Sequence, residues 1–84
     1  MTYYTYILYS SDHNVFYKGV TENPEKRLFE HNNNLSRYTA NKGPWEMVYL
    51  KEWATKKEAL IEEKRLKKLN VKSLTLLIKN FRGE

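Results

Sequence analysis

The chain has 84 residues, 15 Lys and Arg against 10 Asp and Glu, no Cys, 40% hydrophobic residues and 14% aromatics. That length accommodates one domain, residues 1–84, with a small core that removes only about 60–65% of the unfolded surface from water. Without Cys there is no disulfide framework or thiolate metal site, two distant His exclude a Cys/His zinc cluster, and no apolar run approaches the roughly 18–20 residues of a membrane span. The start, Met1-Thr2-Tyr3-Tyr4, lacks the basic and apolar regions of a signal peptide, so a cytoplasmic protein with no membrane association is expected.

Residues 3–10, Tyr-Tyr-Thr-Tyr-Ile-Leu-Tyr-Ser, are rich in aromatic and β-branched types and predict a strand. Ser11-Asp12-His13-Asn14 reads as a turn and Val15–Val20 as a second strand, so the pair forms an antiparallel hairpin. Asn23 before Pro24 announces a helix, with Asn23 as N-cap and Pro24 at the first helical position, ending near Asn32. Residues 33–44 are polar and loop-like, with a short helix near Ser36–Ala40 and a turn at Lys42-Gly43-Pro44. Trp45–Trp53 reads as a third strand. Thr55 and Glu58 fit a reciprocal capping box for a helix reaching about Leu69. Leu74, Leu77, Ile78 and Phe81 are spaced for an amphipathic last helix, with Asn70 as its cap. The order β-β-α-(α)-β-α-α is an α+β domain, a small sheet covered by helices.

Charge is unevenly distributed. Residues 1–50 carry five basic and five acidic groups, whereas residues 51–84 carry ten basic and five acidic, which places the whole +5 in the last 34 residues. That asymmetry suits a polyanion such as nucleic acid, and equally a solvated Lys-rich helix surface.

Three places break the local pattern. On the helix after Thr55, with Ala59 set at 0°, Leu60 falls at about 100° and Leu66 at about 340°, which puts Glu63, at about 40°, inside the apolar stripe and Glu62, at about 300°, at its edge. A core-facing carboxylate needs a partner, either a hard cation or a basic side chain; the plainer readings are an edge residue or a structural salt bridge. On the hairpin, a turn centred on Asp12-His13 sets Leu8 opposite Tyr17 and Tyr6 opposite Gly19. Tyr6 and Tyr17 are then diagonal neighbours over a glycine that invites close approach, either a pocket or an aromatic core pair. Arg27 and His31, four apart, share a helix face that either grips phosphate and relays protons or is simply exposed.

Together these positions resemble the GIY-YIG nuclease superfamily, in particular small bacterial members related to the excinuclease C N-terminal domain. Tyr4-Thr5-Tyr6 stands at the GIY place and Tyr17-Lys18-Gly19 at the YIG place; Arg27 and His31 follow on the helix. Ser36-Arg37-Tyr38-Thr39 and Gly43-Pro44-Trp45 match the segment before the third strand, and Glu63 stands at the place of the metal-binding carboxylate. The Gly and Ile of GIY are Tyr4 and Thr5 in this chain, and the Ile of YIG is Lys18. The resemblance implies a three-stranded antiparallel sheet flanked by helices and metal-dependent hydrolysis of phosphodiesters. Within it Glu63 would hold Mg²⁺ or Mn²⁺, Tyr6 would act as general base, Tyr17 would position the attacking water, Arg27 would stabilise the phosphate and His31 would orient or relay protons. Gly19 would give backbone access, and Arg37, Lys42, Lys67 and Lys68 would bind flanking phosphates. The implied partner is nucleic acid, DNA rather than RNA, read with low sequence specificity and with a protein partner as a possible source of targeting. The alternatives are a non-catalytic nucleic-acid binding module of the same fold and an RNA-directed nuclease.

Overall fold

The computed structural model describes residues 2–83. Its elements are β1 (Tyr3–Ser10), β2 (Val15–Thr21), α1 (Pro24–Asn32), β3 (Glu46–Trp53), α2 (Lys56–Lys67) and α3 (Val71–Phe81). The three strands form one antiparallel sheet in the order β2-β1-β3. This is the α+β arrangement expected, with one correction: residues 36–40 form turns rather than a short helix.

The central strand explains the layering. From Thr5 to Leu8 every residue of β1 is buried, because helices cover both faces of the sheet. On one face Ile7, Val48 and Tyr49 meet Leu66 of α2 and Leu74 and Ile78 of α3. On the other, Tyr6 and Leu8 pack with Trp45 and with Leu28 of α1. Alternating side chains of one strand thus feed two small cores. The β1–β3 register slips between Ile7 and Leu8, leaving Val48 as the extra residue of a bulge. Consecutive Val48 and Tyr49 therefore both enter the core facing α2 and α3, which strict alternation would forbid.

Local chemistry places the element ends. The Asn23 side chain accepts from the Lys26 amide and Asn70 from the Ser73 amide, both as N-caps. The Thr55 hydroxyl accepts from the Glu58 amide, but the Glu58 carboxylate takes the Thr55 hydroxyl rather than a backbone amide, so the box is not reciprocal. In the hairpin, Asn14 adopts φ 52° and its side chain accepts from the Tyr9 hydroxyl, a conformation that Asn tolerates better than other non-glycine residues. α2 stops at Lys67, two residues earlier than expected, with Lys68 as its C-cap.

The stripe of α2 also differs. Its buried residues are Ala59, Glu62 and Leu66, whereas Leu60 is 38% exposed. With Leu60 removed, the stripe centres near about 330°, so Glu62 lies inside it and Glu63 at its margin. The buried Glu62 carboxylate accepts from the Tyr49 hydroxyl at 2.9 Å and from Arg65 Nε and a terminal nitrogen at 2.6 and 3.0 Å. Arg65 holds that carboxyl below the usual range, and burial together with Glu62 pushes the Tyr49 phenol up to about 12. This cluster fixes α2 against β3 and leaves the next residue, Glu63, at the rim of the sheet.

Candidate active site

Tyr6 pairs opposite Gly19, and Leu8 opposite Tyr17, as the hairpin pattern requires. The tyrosine rings stand 6.3 Å apart between centroids. Gly19 is buried, and what approaches it is Tyr6 itself: an added Cβ would lie 2.5 Å from the phenolic oxygen. The glycine therefore serves the intramolecular packing of Tyr6.

α1 carries Arg27 and His31 toward the same phenol. His31 is fully buried rather than part of an exposed face, with Nε2 3.0 Å from the Tyr6 oxygen and Nδ1 2.6 Å from Thr39 Oγ1. The Tyr17 ring lies 4.9 Å from the imidazole. Arg27 donates to Glu30 at 3.1 Å and reaches Ser36 Oγ at 3.5 Å, while its guanidinium also acts on the Tyr6 oxygen. Its side chain is one-third exposed, so charge remains available to a ligand.

Burial dominates the electrostatics. It pushes Tyr6 up to about 12, against the pull of Arg27, and the negative charge of Glu63 adds to the rise. Burial, reinforced by the Arg27 charge, pushes His31 down to about 4. At neutral pH the pair is therefore an un-ionised phenol against an un-ionised imidazole.

Glu63 closes the arrangement from α2. It is partly buried and pairs loosely with Lys67 at 3.7 Å, a contact of the kind that contributes only about 0.3–0.5 kcal/mol. Among the described residues no group of three or more His, Asp and Glu side chains could enclose an ion. The Glu63 carboxylate is a hard oxygen donor and fits Mg²⁺ or Mn²⁺, since Mg²⁺ binds through one or two carboxylates and keeps several waters.

A groove lined by Phe16, Tyr17, Lys18, Tyr38 and Lys67 opens beside Tyr17. Of the four expected phosphate contacts, Lys67 lines it, while Arg37, Lys42 and Lys68 are exposed outside its walls. Lys18 and Tyr38 belong to this groove without having been singled out by pattern. Ser36 and Thr39, behind Arg27 and His31, enter the sequence reading only as part of the Ser36-Arg37-Tyr38-Thr39 segment, with no role of their own.

Comparisons with known proteins give the family. Residues 2–75 match the model of the GIY-YIG catalytic domain. The chain is 41% identical over 68 residues to a UPF0213 protein of Oceanobacillus iheyensis, covering 80% of this chain and 78% of that one. It is 36% identical over 83 residues to a UPF0213 protein of Enterococcus faecalis, covering 95% and 93%. The solution structure of a UPF0213 protein from Bacillus halodurans superposes with a TM-score of 0.60 at 29% identity, covering 94% of this chain and 84% of that one. No helix among the described residues is long and apolar enough to cross a membrane. With residues 2–75 matched to that model and relatives more than 30% identical over most of their length, this chain belongs to the GIY-YIG nuclease family.

Proposed function

We propose that the chain is a metal-dependent endonuclease that hydrolyses phosphodiester bonds of DNA with low sequence specificity. The observation that carries this reading is the convergence on the Tyr6 oxygen of side chains from four elements: Tyr6 of β1, Arg27 and His31 of α1, with Tyr17 of β2 and the charge of Glu63 of α2 beside them. Tyr6 forms the floor, and the partly exposed Arg27, Tyr17 and Glu63 form the rim.

Glu63 would hold Mg²⁺ or Mn²⁺, which when bound supplies Lewis-acid offset of charge on the phosphate and leaving oxygen. Arg27 presents planar N–H donors to phosphate oxygens, held in place by Glu30. Tyr17 orients the attacking water at the solvent side of the floor. A phenol held at about 12 is not ionised at neutral pH, so a free phenolate base is a poor reading. A relay avoids it: as Tyr6 takes a proton from the water, its own proton passes to Nε2 of His31, 3.0 Å away. One O–H of water and the original Tyr6 O–H break while a new Tyr6 O–H and an Nε2–H form; the water oxygen bonds phosphorus as the P–O bond to the leaving oxygen breaks, the leaving oxygen takes a proton from solvent, and His31, held at about 4, gives its extra proton back to solvent. Low specificity follows from a small domain whose basic groups meet the backbone rather than base edges.

Cleavage assays with Mg²⁺ or Mn²⁺ on single-stranded, duplex and branched DNA, and on RNA, test this directly. Metal-dependent cutting of DNA is expected. Salt-sensitive binding without cutting of any substrate would instead support a non-catalytic module, and cutting confined to RNA an RNA-directed nuclease.

A further inference from the structure

The turn at residues 36–39 has no regular structure, yet Thr39 is among the most buried residues of the chain, 1% exposed. Its backbone is fixed on both sides. Its amide donates to the Ser36 carbonyl at 3.3 Å, and its carbonyl accepts from the Lys42 amide at 3.2 Å and from Trp45 Nε1 at 3.3 Å. Trp45 is held in turn by Asn32, whose side chain accepts from the Trp45 amide at 2.6 Å and donates to its carbonyl at 3.2 Å. A β-branched side chain on a backbone so constrained has little χ1 freedom. Its hydroxyl is 2.6 Å from His31 Nδ1.

Two arrangements pair both ring nitrogens: the Tyr6 O–H donates to Nε2 while Nδ1–H donates to Thr39 Oγ1, or the Thr39 O–H donates to Nδ1 while Nε2–H donates to Tyr6. Arg27, which can only donate, acts on the Tyr6 oxygen and favours the first, in which that oxygen gives its own proton to the ring. Nε2 then carries no proton. The proton of the neutral ring is therefore on Nδ1 and donates to Thr39 Oγ1.

We propose that Thr39 is a positioning residue of the active site: its hydroxyl fixes His31 as the Nδ1–H tautomer and aims Nε2 at the Tyr6 oxygen. The catalytic consequence rests on the proposed nuclease reading, whereas the tautomer does not. Without the Thr39 acceptor, a buried Nδ1–H is unsatisfied, and the proton moves toward Nε2, which can donate to the Tyr6 oxygen. Nε2 is then no longer open to take the Tyr6 proton.

The test uses the whole chain in three forms: wild type, Thr39→Val, which keeps the shape without the hydroxyl, and Thr39→Ser, which keeps the hydroxyl. Two-bond proton–nitrogen NMR correlations of the imidazole read the tautomer, melts read folding, and single-turnover DNA cleavage reads the rate. Wild type and Thr39→Ser are expected to show Nδ1–H, and Thr39→Val a shift toward Nε2–H. In Thr39→Val the rate should fall by at least about 10-fold with KM within about twofold, a part of the roughly 10²–10⁴-fold that a positioned proton-transfer group contributes. An Nε2–H tautomer in the wild type overturns the proposal with no variant needed. So does a Thr39→Val protein that keeps the wild-type tautomer or rate. If the wild type does not cut at all, the nuclease reading fails, and the NMR result still decides the role of Thr39.

Discussion

Alanine at Gly19 tests the packing of the floor. The glycine backbone is not in the left-handed region, so alanine adds only a methyl group and brings no backbone strain. That methyl would lie 2.5 Å from the Tyr6 oxygen, 2.7 Å from Cζ and 3.0 Å from Cε1. Ordinary contacts are about 3.5–4.0 Å, so the ring must move by about 1 Å. Tyr6 is buried between Tyr17 and His31 and cannot swing outward. A shift of that size is enough to break its 3.0 Å contact with His31. Overpacking costs about 1–3 kcal/mol, and leaving two buried polar atoms unpaired costs about 1–3 kcal/mol more. At about 4–8 °C per kcal/mol for a domain of this size, Gly19→Ala should melt at least about 10 °C below wild type by circular dichroism. Adding Tyr6→Phe removes the nearest clashing atom and one of the stranded polar groups, so the double variant should cost less than the sum of the singles. A Gly19→Ala protein that melts within about 2 °C of wild type would refute the close Tyr6–Gly19 packing.

Arg27→Lys keeps the charge but loses the planar fork that spans Glu30 and faces Tyr6; the cleavage rate should drop about 10-fold or more while oligonucleotide affinity stays within about twofold, and an equal loss of both would make Arg27 a simple clamp. His31 gives a stability signature with a definite sign. Its folded pKa is depressed from 6.5 to about 4, so the unfolded chain binds the proton first, and stability present above about pH 6.5 is lost as pH falls toward 4. Melts from pH 7 to pH 4.5 should show a loss of about 2 kcal/mol in the wild type and a flatter profile in His31→Gln; parallel profiles would remove the buried-neutral assignment. Glu62→Ala strands the Tyr49 hydroxyl and Arg65 and should destabilise by about 1–3 kcal/mol, which denaturant titration would show; no loss would mean the cluster does not fix α2.

Most of the fold could be read before the structure, because its signals are local. Asn23-Pro24, Thr55 and Asn70 mark helix starts by cap chemistry that needs no tertiary partner. The hairpin register follows from a short turn and a period of two. What could not be read depends on contacts far along the chain. The bulge at Val48 belongs to the match between β1 and β3 and leaves no mark in either strand's composition. The polar segment 33–44 looks like a helix-compatible loop, but Asn32, Trp45 and Thr39 tie it down as turns. Counting Leu60 as core turns the apparent centre of the α2 stripe toward Glu63 and hides the buried Glu62. Arg27 and His31 were found by their spacing, yet the burial of His31 follows from Tyr6 and Thr39, 25 and 8 residues away.

The central claim is that Glu63 is the metal-binding carboxylate of a phosphodiesterase site, and Glu63→Gln tests it most directly. Glu63 lies at the rim with only a loose pair to Lys67, so the amide should leave stability within about 0.5 kcal/mol of wild type. Cleavage of end-labelled DNA in Mg²⁺ or Mn²⁺ is measured beside thermal melts of the same preparations. The account predicts a variant that melts like the wild type and cuts at background; a variant that cuts at the wild-type rate, whatever its melting point, would contradict it.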